Sequence, residues 1–220
     1  MLGDKHMNTV KLLISTASCM TLASGAFAQS AISIITPGVE YSGSQYTLGF
    51  EFSVDDAESI TGLGVYDSGQ DGLNGRAFVG LWDTSGNLLV STIVGAGTAG
   101  TLDNYFRYNS ITPYALVAGQ HYIVGAFEPD DLATSWNTGQ GGSGAVSPHV
   151  TVYGDRYSNF NNAFSFPDTT DSTAGAWLGG NVFLGTRAVP EPASWAMMLG
   201  GFGVVGGALR ARRKAAVSFG

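Results

Sequence analysis

The sequence predicts an all-β fold, a β-sandwich of jelly-roll type, with an N-terminal signal peptide before it and a single hydrophobic helix after it. Apolar residues alternate with a period near two between residues 29 and 187. Gly, Asn, Asp and Pro separate the alternating runs, and no amphipathic helix stands out among them. About eight such runs require two sheets, because one sheet alone would leave an apolar face wet.

The chain of 220 residues opens with Lys5 and Lys11 ahead of an apolar, small-residue run that closes on Ala26-Phe27-Ala28. A charged start, a short greasy stretch and a small-x-small ending are what signal peptidase accepts. Residues 1–28 are therefore expected to be a cleaved secretory signal, with Ala26 and Ala28 setting the cut. The single cysteine, Cys19, falls inside that run, which excludes a disulfide scaffold and any multi-thiolate zinc site in the mature protein.

Within the domain, residues 46–54 place Tyr46, Leu48, Phe50, Phe52 and Val54 on one face. Thr47, Glu51 and Ser53 fall on the other, which is expected to be solvated. Further strands are expected at 60–66, 77–82, 88–94, 105–109, 122–127, 149–153 and 176–184. Asp83-Thr84-Ser85-Gly86-Asn87 reads as a hairpin loop. The core candidates are Phe50, Phe52, Phe78, Trp82, Phe106, Tyr122 and Phe127. The Gly-rich stretch 139–144 is expected to form a long surface loop.

Charge narrows the partners. The whole chain carries −7, but residues 29–189 hold four Arg and no Lys against fifteen acids, which makes −11. Nucleic acid needs clustered Lys and Arg to displace phosphate counterions, so it is excluded as a partner. The loop from Asp67 to Gly75 gathers Asp67, Asp71 and Asn74, hard oxygen donors of the kind calcium takes, and is a candidate calcium site. It lacks the closing Glu of an EF-hand, and turn geometry explains the same residues. No other cofactor is expected. Glu128-Pro129-Asp130-Asp131 and the group Asp55, Asp56 and Glu58 read as solvated strand ends.

A hydrolase would need a Gly-x-Ser-x-Gly elbow or a pair of carboxylates flanking a cleft. The elbow is absent, and His121 and His149 fall at the starts of strands, where a structural role is expected. The protein is therefore read as a non-enzyme. Sugar binding asks for exposed rings that stack on pyranose faces, with amides and carboxylates nearby. Trp136, Tyr153 and Tyr157 are the candidates, with Asn159, Phe160, Asn161 and Asn162 beside the last.

The C-terminal end has three parts. Pro190, Glu191 and Pro192 precede an uncharged run over 193–209, and Arg210, Arg212, Arg213 and Lys214 follow it. A helix over that run would reach roughly 25 Å, the short limit for crossing the hydrocarbon core. Trp195 stands where an interface anchor belongs, and the basic cluster would hold the end in the cytoplasm, leaving the domain on the far side. This arrangement resembles the PEP-CTERM proteins of Gram-negative bacteria. The resemblance implies that Pro190, Glu191 and Pro192 are recognised by an exosortase, which removes the helix and passes the protein outward. It also implies an association with exopolysaccharide.

A second resemblance rests on three segments. They are Ile60-Thr61-Gly62-Leu63-Gly64-Val65-Tyr66-Asp67, then Val79-Gly80-Leu81-Trp82-Asp83 running on through Gly86-Asn87-Leu88-Leu89, and Leu116-Val117-Ala118-Gly119-Gln120-His121-Tyr122-Ile123-Val124-Gly125. Together they resemble the DUF4082-type sandwich modules of bacterial extracellular proteins over residues 45–128. These motifs, a hairpin and a turn feeding a strand, speak to fold rather than activity.

The expected organisation is a signal peptide at 1–28, a β-sandwich at 29–187, a sorting signal at 188–214 and a tail at 215–220. The expected route crosses the inner membrane into the periplasm, held briefly by the C-terminal helix, and ends at the outer surface or in the extracellular matrix. Signal peptidase and exosortase are the expected processing partners. The expected function is to bind or organise exopolysaccharide. The alternatives are a structural or adhesive matrix protein that recognises no glycan and self-associates through sheet edges, or a secreted carbohydrate-active enzyme.

Overall fold

The computed structural model describes residues 28–42, 44–136, 141–171 and 175–185. Ala26, the sorting residues Pro190, Glu191 and Pro192, the hydrophobic helix, and Arg210, Arg212, Arg213 and Lys214 lie outside the described residues. Among the described residues no helix is long and apolar enough to cross a membrane.

Alternating apolar residues form two five-stranded antiparallel sheets. The first runs β1 (Gln29–Ser30), β15 (Gly180–Leu184), β5 (Glu58–Tyr66), β9 (Phe106–Leu116) and β8 (Thr101–Asp103). The second runs β13 (Val150–Tyr157), β4 (Leu48–Val54), β10 (His121–Phe127), β6 (Ala77–Asp83) and β7 (Leu88–Val94). If β1, β4, β5, β6, β7, β9, β10 and β15 are counted in chain order, the sheets read 1-8-3-6 and 2-7-4-5. That is the double Greek key of a jelly roll, with β8 and β13 added at the edges. A three-stranded sheet, β14 (Ala176–Leu178), β11 (Leu132–Trp136) and β3 (Glu40–Ser42), and the pair β12 (Gly141–Val146) and β2 (Ile32–Gly38) complete the fold.

Directly paired residues of antiparallel strands point to the same face, so the register shows which row is core. Phe50 pairs with Val124 and Phe52 with Tyr122, and Val124 in turn pairs with Leu81. This row meets Leu63, Val65, Phe106 and Val182 from the other sheet, all fully buried. Truncating a ring such as Phe52 in a packed row of this kind costs about 3–5 kcal/mol.

Three of the expected core aromatics occupy a second layer instead. Phe78, Trp82 and Phe127 lie on the outer face of their sheet, and Phe78 is only half-buried. The segment after β13 covers them: the Phe164 ring sits 5.1 Å from Trp82 and 6.0 Å from Phe78, and Phe166 sits 6.3 Å from Trp82. Gly80 leaves the space for this, since a Cβ there would come within 2.8 Å of both Phe164 and Trp82.

The outer face of β4 is likewise not solvated. Thr47, Glu51 and Ser53 are all buried. Glu51 takes the guanidinium of Arg156 and, at 2.5 Å, the ring of His121, while Ser53 hydrogen-bonds the Tyr153 hydroxyl. Burial by itself would raise the Glu51 carboxyl, but the bonds from Arg156 and His121 outweigh it and hold the group below its ordinary range. Alternation revealed which row was apolar, but not that side chains of the paired strands β10 and β13 would cover Glu51 and Ser53.

The Gly-rich stretch is also a correction. Residues 141–146 form β12, paired with β2, whereas 137–140 lie outside the described residues. A Cβ on Gly142 would stand 2.5 Å from the Ser135 carbonyl and 2.9 Å from the Gly38 amide. Glycine is needed there for close approach between backbones rather than for looseness. The hairpin at Asp83 forms as expected, with the Asp83 carboxylate accepting from the amides of Ser85 and Asn87.

These contacts predict an ordering of two substitutions. Gly119 and Gly142 both have positive φ, +72° and +82°, but nothing stands within 4 Å of a Cβ on Gly119. Gly119→Ala should cost about 1 kcal/mol of backbone strain. Gly142→Ala should cost about 1–3 kcal/mol more through crowding, as read by urea unfolding of the two variants.

Candidate functional site

The inward row of β4 extends past the sandwich. Leu48 pairs with Tyr157 at the end of β13, so both side chains share the core-facing side, and Tyr46 continues that row before β4 begins. Here the row is covered by the small sheet and not by the opposite five-stranded one. In β11, Ala133 pairs with Tyr41 and Ser135 with Trp177, which places all four on one face. The small side chains of Ala133 and Ser135 let the flanking rings meet above them, edge to face at 5.0 Å.

The result is a cleft of about 370 Å³, of the size that takes small ligands. Tyr41, Tyr46, Tyr157 and Trp177 supply its rings, Leu48 its apolar floor, and Ser42 and Asp171 its polar groups. Each ring is half-buried, held by packing yet open on one side. Tyr46 meets Tyr157 edge-on at 6.3 Å and Phe160 at 5.6 Å.

Polar bonds fix these walls. The Thr47 amide donates to the Ser158 hydroxyl and the Ser158 amide to the Thr47 carbonyl, which holds Tyr46 beside the end of β13. Tyr157 and Thr169 exchange backbone hydrogen bonds, bringing the returning chain alongside. The buried carboxylate of Asp155 then accepts from the Thr170 hydroxyl and the Asp171 amide, at 3.0 and 2.8 Å. Asp171 is thereby set where it accepts the Tyr157 hydroxyl at 3.0 Å. That bond raises the Tyr157 phenol above its ordinary range and keeps the hydroxyl a donor.

Of the ring residues expected to bind sugar, only Tyr157 lies in this cleft. Tyr153 stands four positions before it, a spacing that would put both on one face of a regular strand. The register of β13 shifts between Val152 and Gly154, and this bulge turns Tyr153 to the outer side, stacked 4.0 Å from His121. Trp136 sits one position beyond Ser135 on β11, so it faces away from Trp177 and packs against the core. Tyr41, Tyr46, Trp177 and Asp171 were missed as ligand contacts. Tyr46 did fall in the apolar row, but nothing local marks the other three, because four separate segments build the cleft.

The expected calcium donors turn to other tasks. Asp67 is buried in an ion pair with Arg107 at 2.6 Å and accepts the Gly72 amide. The Asn74 amide donates to Asp131 at 3.0 Å, and Asp71 stands exposed. Among the described residues no group of three or more His, Cys, Asp or Glu is placed to hold a metal. The Glu128 loop is not solvated either. Glu128 is 1 % exposed, and neither carboxylate oxygen has a hydrogen-bond partner among the described residues. Burial, reinforced by the nearby Asp131 and Asp67, pushes its carboxyl well above the ordinary range.

A β-sandwich followed by a C-terminal sorting segment defines an exported β-sandwich protein. Comparison with known families agrees: the chain belongs to the DUF4082 family, a domain of unknown function, whose model matches residues 35–178. Residues 188–214 match the PEP-CTERM protein-sorting motif, which makes this an exosortase-sorted, exported protein. The family match extends well beyond the 45–128 of the sequence resemblance and takes in β11, β13 and β14. Neither match describes a catalytic family. No curated protein matches the chain.

Glu128 generates a pH prediction. Below the unfolded-state value near 4.5 the group is protonated in both states and its contribution is fully present. Above that value the unfolded chain releases its proton first, so stability falls by about 1.4 kcal/mol per pH unit until the folded-state value is reached. Glu128→Gln should remove that slope. Urea unfolding at pH 5 and pH 7 should show a smaller loss for the variant than for the parent.

Proposed function

We propose that this exported protein binds polysaccharide at or beyond the cell surface through the cleft lined by Tyr41, Tyr46, Tyr157 and Trp177. The observation that carries the reading is the convergence of four half-buried rings on one opening that also holds a carboxylate and a hydroxyl. Pyranose rings present flat C–H faces to aromatic rings and hydroxyls to polar groups, so such a cleft offers both kinds of contact. The sorting motif supports the location, since exosortase processing delivers the domain to where polysaccharide is found.

A hydrolytic role fits the cleft poorly. Glycoside hydrolysis uses two carboxyl groups about 5–9.5 Å apart, and among the described residues Asp171 is the one carboxylate in the cleft lining. The adhesive reading has one observation in its favour: β7 is an edge strand that exposes Leu88 and Ile93, each nearly half accessible. Sedimentation of the purified protein over a range of concentrations separates the two, because self-association through β7 would raise the mass in the absence of glycan.

Two outcomes are expected. In affinity electrophoresis through gels containing soluble polysaccharides, the parent protein should be retarded by at least one of them. Trp177→Ala or Tyr157→Ala should each weaken that binding about tenfold, equivalent to about 1.4 kcal/mol, without moving the unfolding midpoint enough to explain it. Mass spectrometry of the protein recovered from the medium should find a C-terminus that has lost the uncharged run over 193–209 and everything after it, through residue 220. An intact hydrophobic tail on the released protein would contradict the processing.

A further inference from the structure

We propose that the cleft selects amino sugars, seating a pyranose ring against its aromatic walls and directing a protonated amine on that ring to the Asp171 carboxylate. This deepens the glycan reading and rests on it. The charge of the lining is the first argument: among the described residues Asp171 is its one acidic side chain, and no Lys or Arg lines the cleft. The placement is built rather than accidental, since Asp155 pins Thr170 and Asp171 beside β13 and Tyr157 orients the carboxylate. A carboxylate accepts several hydrogen bonds, more than the Tyr157 hydroxyl supplies.

The arginines among the described residues are stationed elsewhere. Arg107 is buried with Asp67, Arg156 is on the outer side of β13 with Glu51, and Arg76 stands 5.3 Å over the Phe78 ring. A uronate or a sulfated sugar entering the cleft would meet a like charge with no counter-ion, which discriminates against it. A neutral sugar would leave the charge of Asp171 unused. The rings act in the same direction, because their faces carry negative quadrupole potential that favours a cation in contact with them. An ammonium group on a ring of sugar size satisfies the carboxylate, the quadrupoles and the apolar floor together.

The test is calorimetric titration of the exported protein at pH 6 with four oligosaccharides of equal length. They are a glucosamine oligomer, its fully N-acetylated form, a glucose oligomer and a galacturonate oligomer. The glucosamine oligomer should bind about tenfold more tightly than the N-acetylated and glucose forms, and galacturonate should bind weakest. Asp171→Asn should erase the preference for the free amine, so that within the variant the glucosamine, N-acetylated and glucose oligomers bind alike, and added salt should narrow the preference in the parent. Equal binding of the glucosamine, N-acetylated and glucose forms, a preference for galacturonate, or an amine preference that survives Asp171→Asn overturns this inference. In each of those cases loss of binding in Trp177→Ala would leave the cleft as the glycan site. Binding by none of the four, or binding that Trp177→Ala leaves intact, overturns both readings.

Discussion

The structure turns on β4. Its inner row pairs with β10 and β13 on either side, and Phe50 and Phe52 are fully enclosed between the sheets. Desolvating that row, the main driving force for the sandwich, fixes the register of both neighbours, because a slip by one residue would drive Glu51 and Ser53 into the core. The same row runs on through Leu48 to Tyr46, where the covering five-stranded sheet has ended. The cleft is thus the open end of the hydrophobic core, roofed by a separate three-stranded sheet.

This origin explains the character of the cleft. A row selected for burial delivers apolar and aromatic side chains, so rings line the opening and the floor is aliphatic. Polarity enters only from segments that approach from outside. Asp171 arrives on the returning chain after β13, and its position depends on the buried carboxylate of Asp155. The rings belong to the fold, whereas the charge belongs to a loop that the fold holds in place. Loops carried on a rigid scaffold are where recognition is usually found, and here one short segment gives the cleft its sign.

The buried acids follow a different logic. Asp67 meets Arg107, and Glu51 meets Arg156 and His121, so each buried charge has a partner. Among the described residues Glu128 has no hydrogen-bond partner, and Asp131, raised by burial, draws on amide donors of Asn74 and Gly75. A domain carrying eleven excess negative charges between residues 29 and 189 lacks the cations to pair them all. A carboxyl that burial pushes upward holds its proton more tightly, which lessens the charge that must be enclosed.

Much of this was legible from the chain alone. The alternation at Phe50 and Phe52 gave the inner row, the run from Asp83 to Asn87 gave the hairpin, and the C-terminal segment with Pro190, Glu191 and Pro192 gave the sorting motif. These are local patterns, each complete within a few residues, and period, turn chemistry and address signals are local by nature. What tertiary structure decided was every feature that depends on a second segment. It placed Phe164 over Trp82, made a strand of Gly142 and Gly144 against β2, turned Tyr153 away from Tyr157 through a bulge, and brought Trp177 to Tyr41 across Ala133 and Ser135. Side chains so far apart in sequence meet only after long-range pairing has been chosen, and no window of the sequence contains that choice.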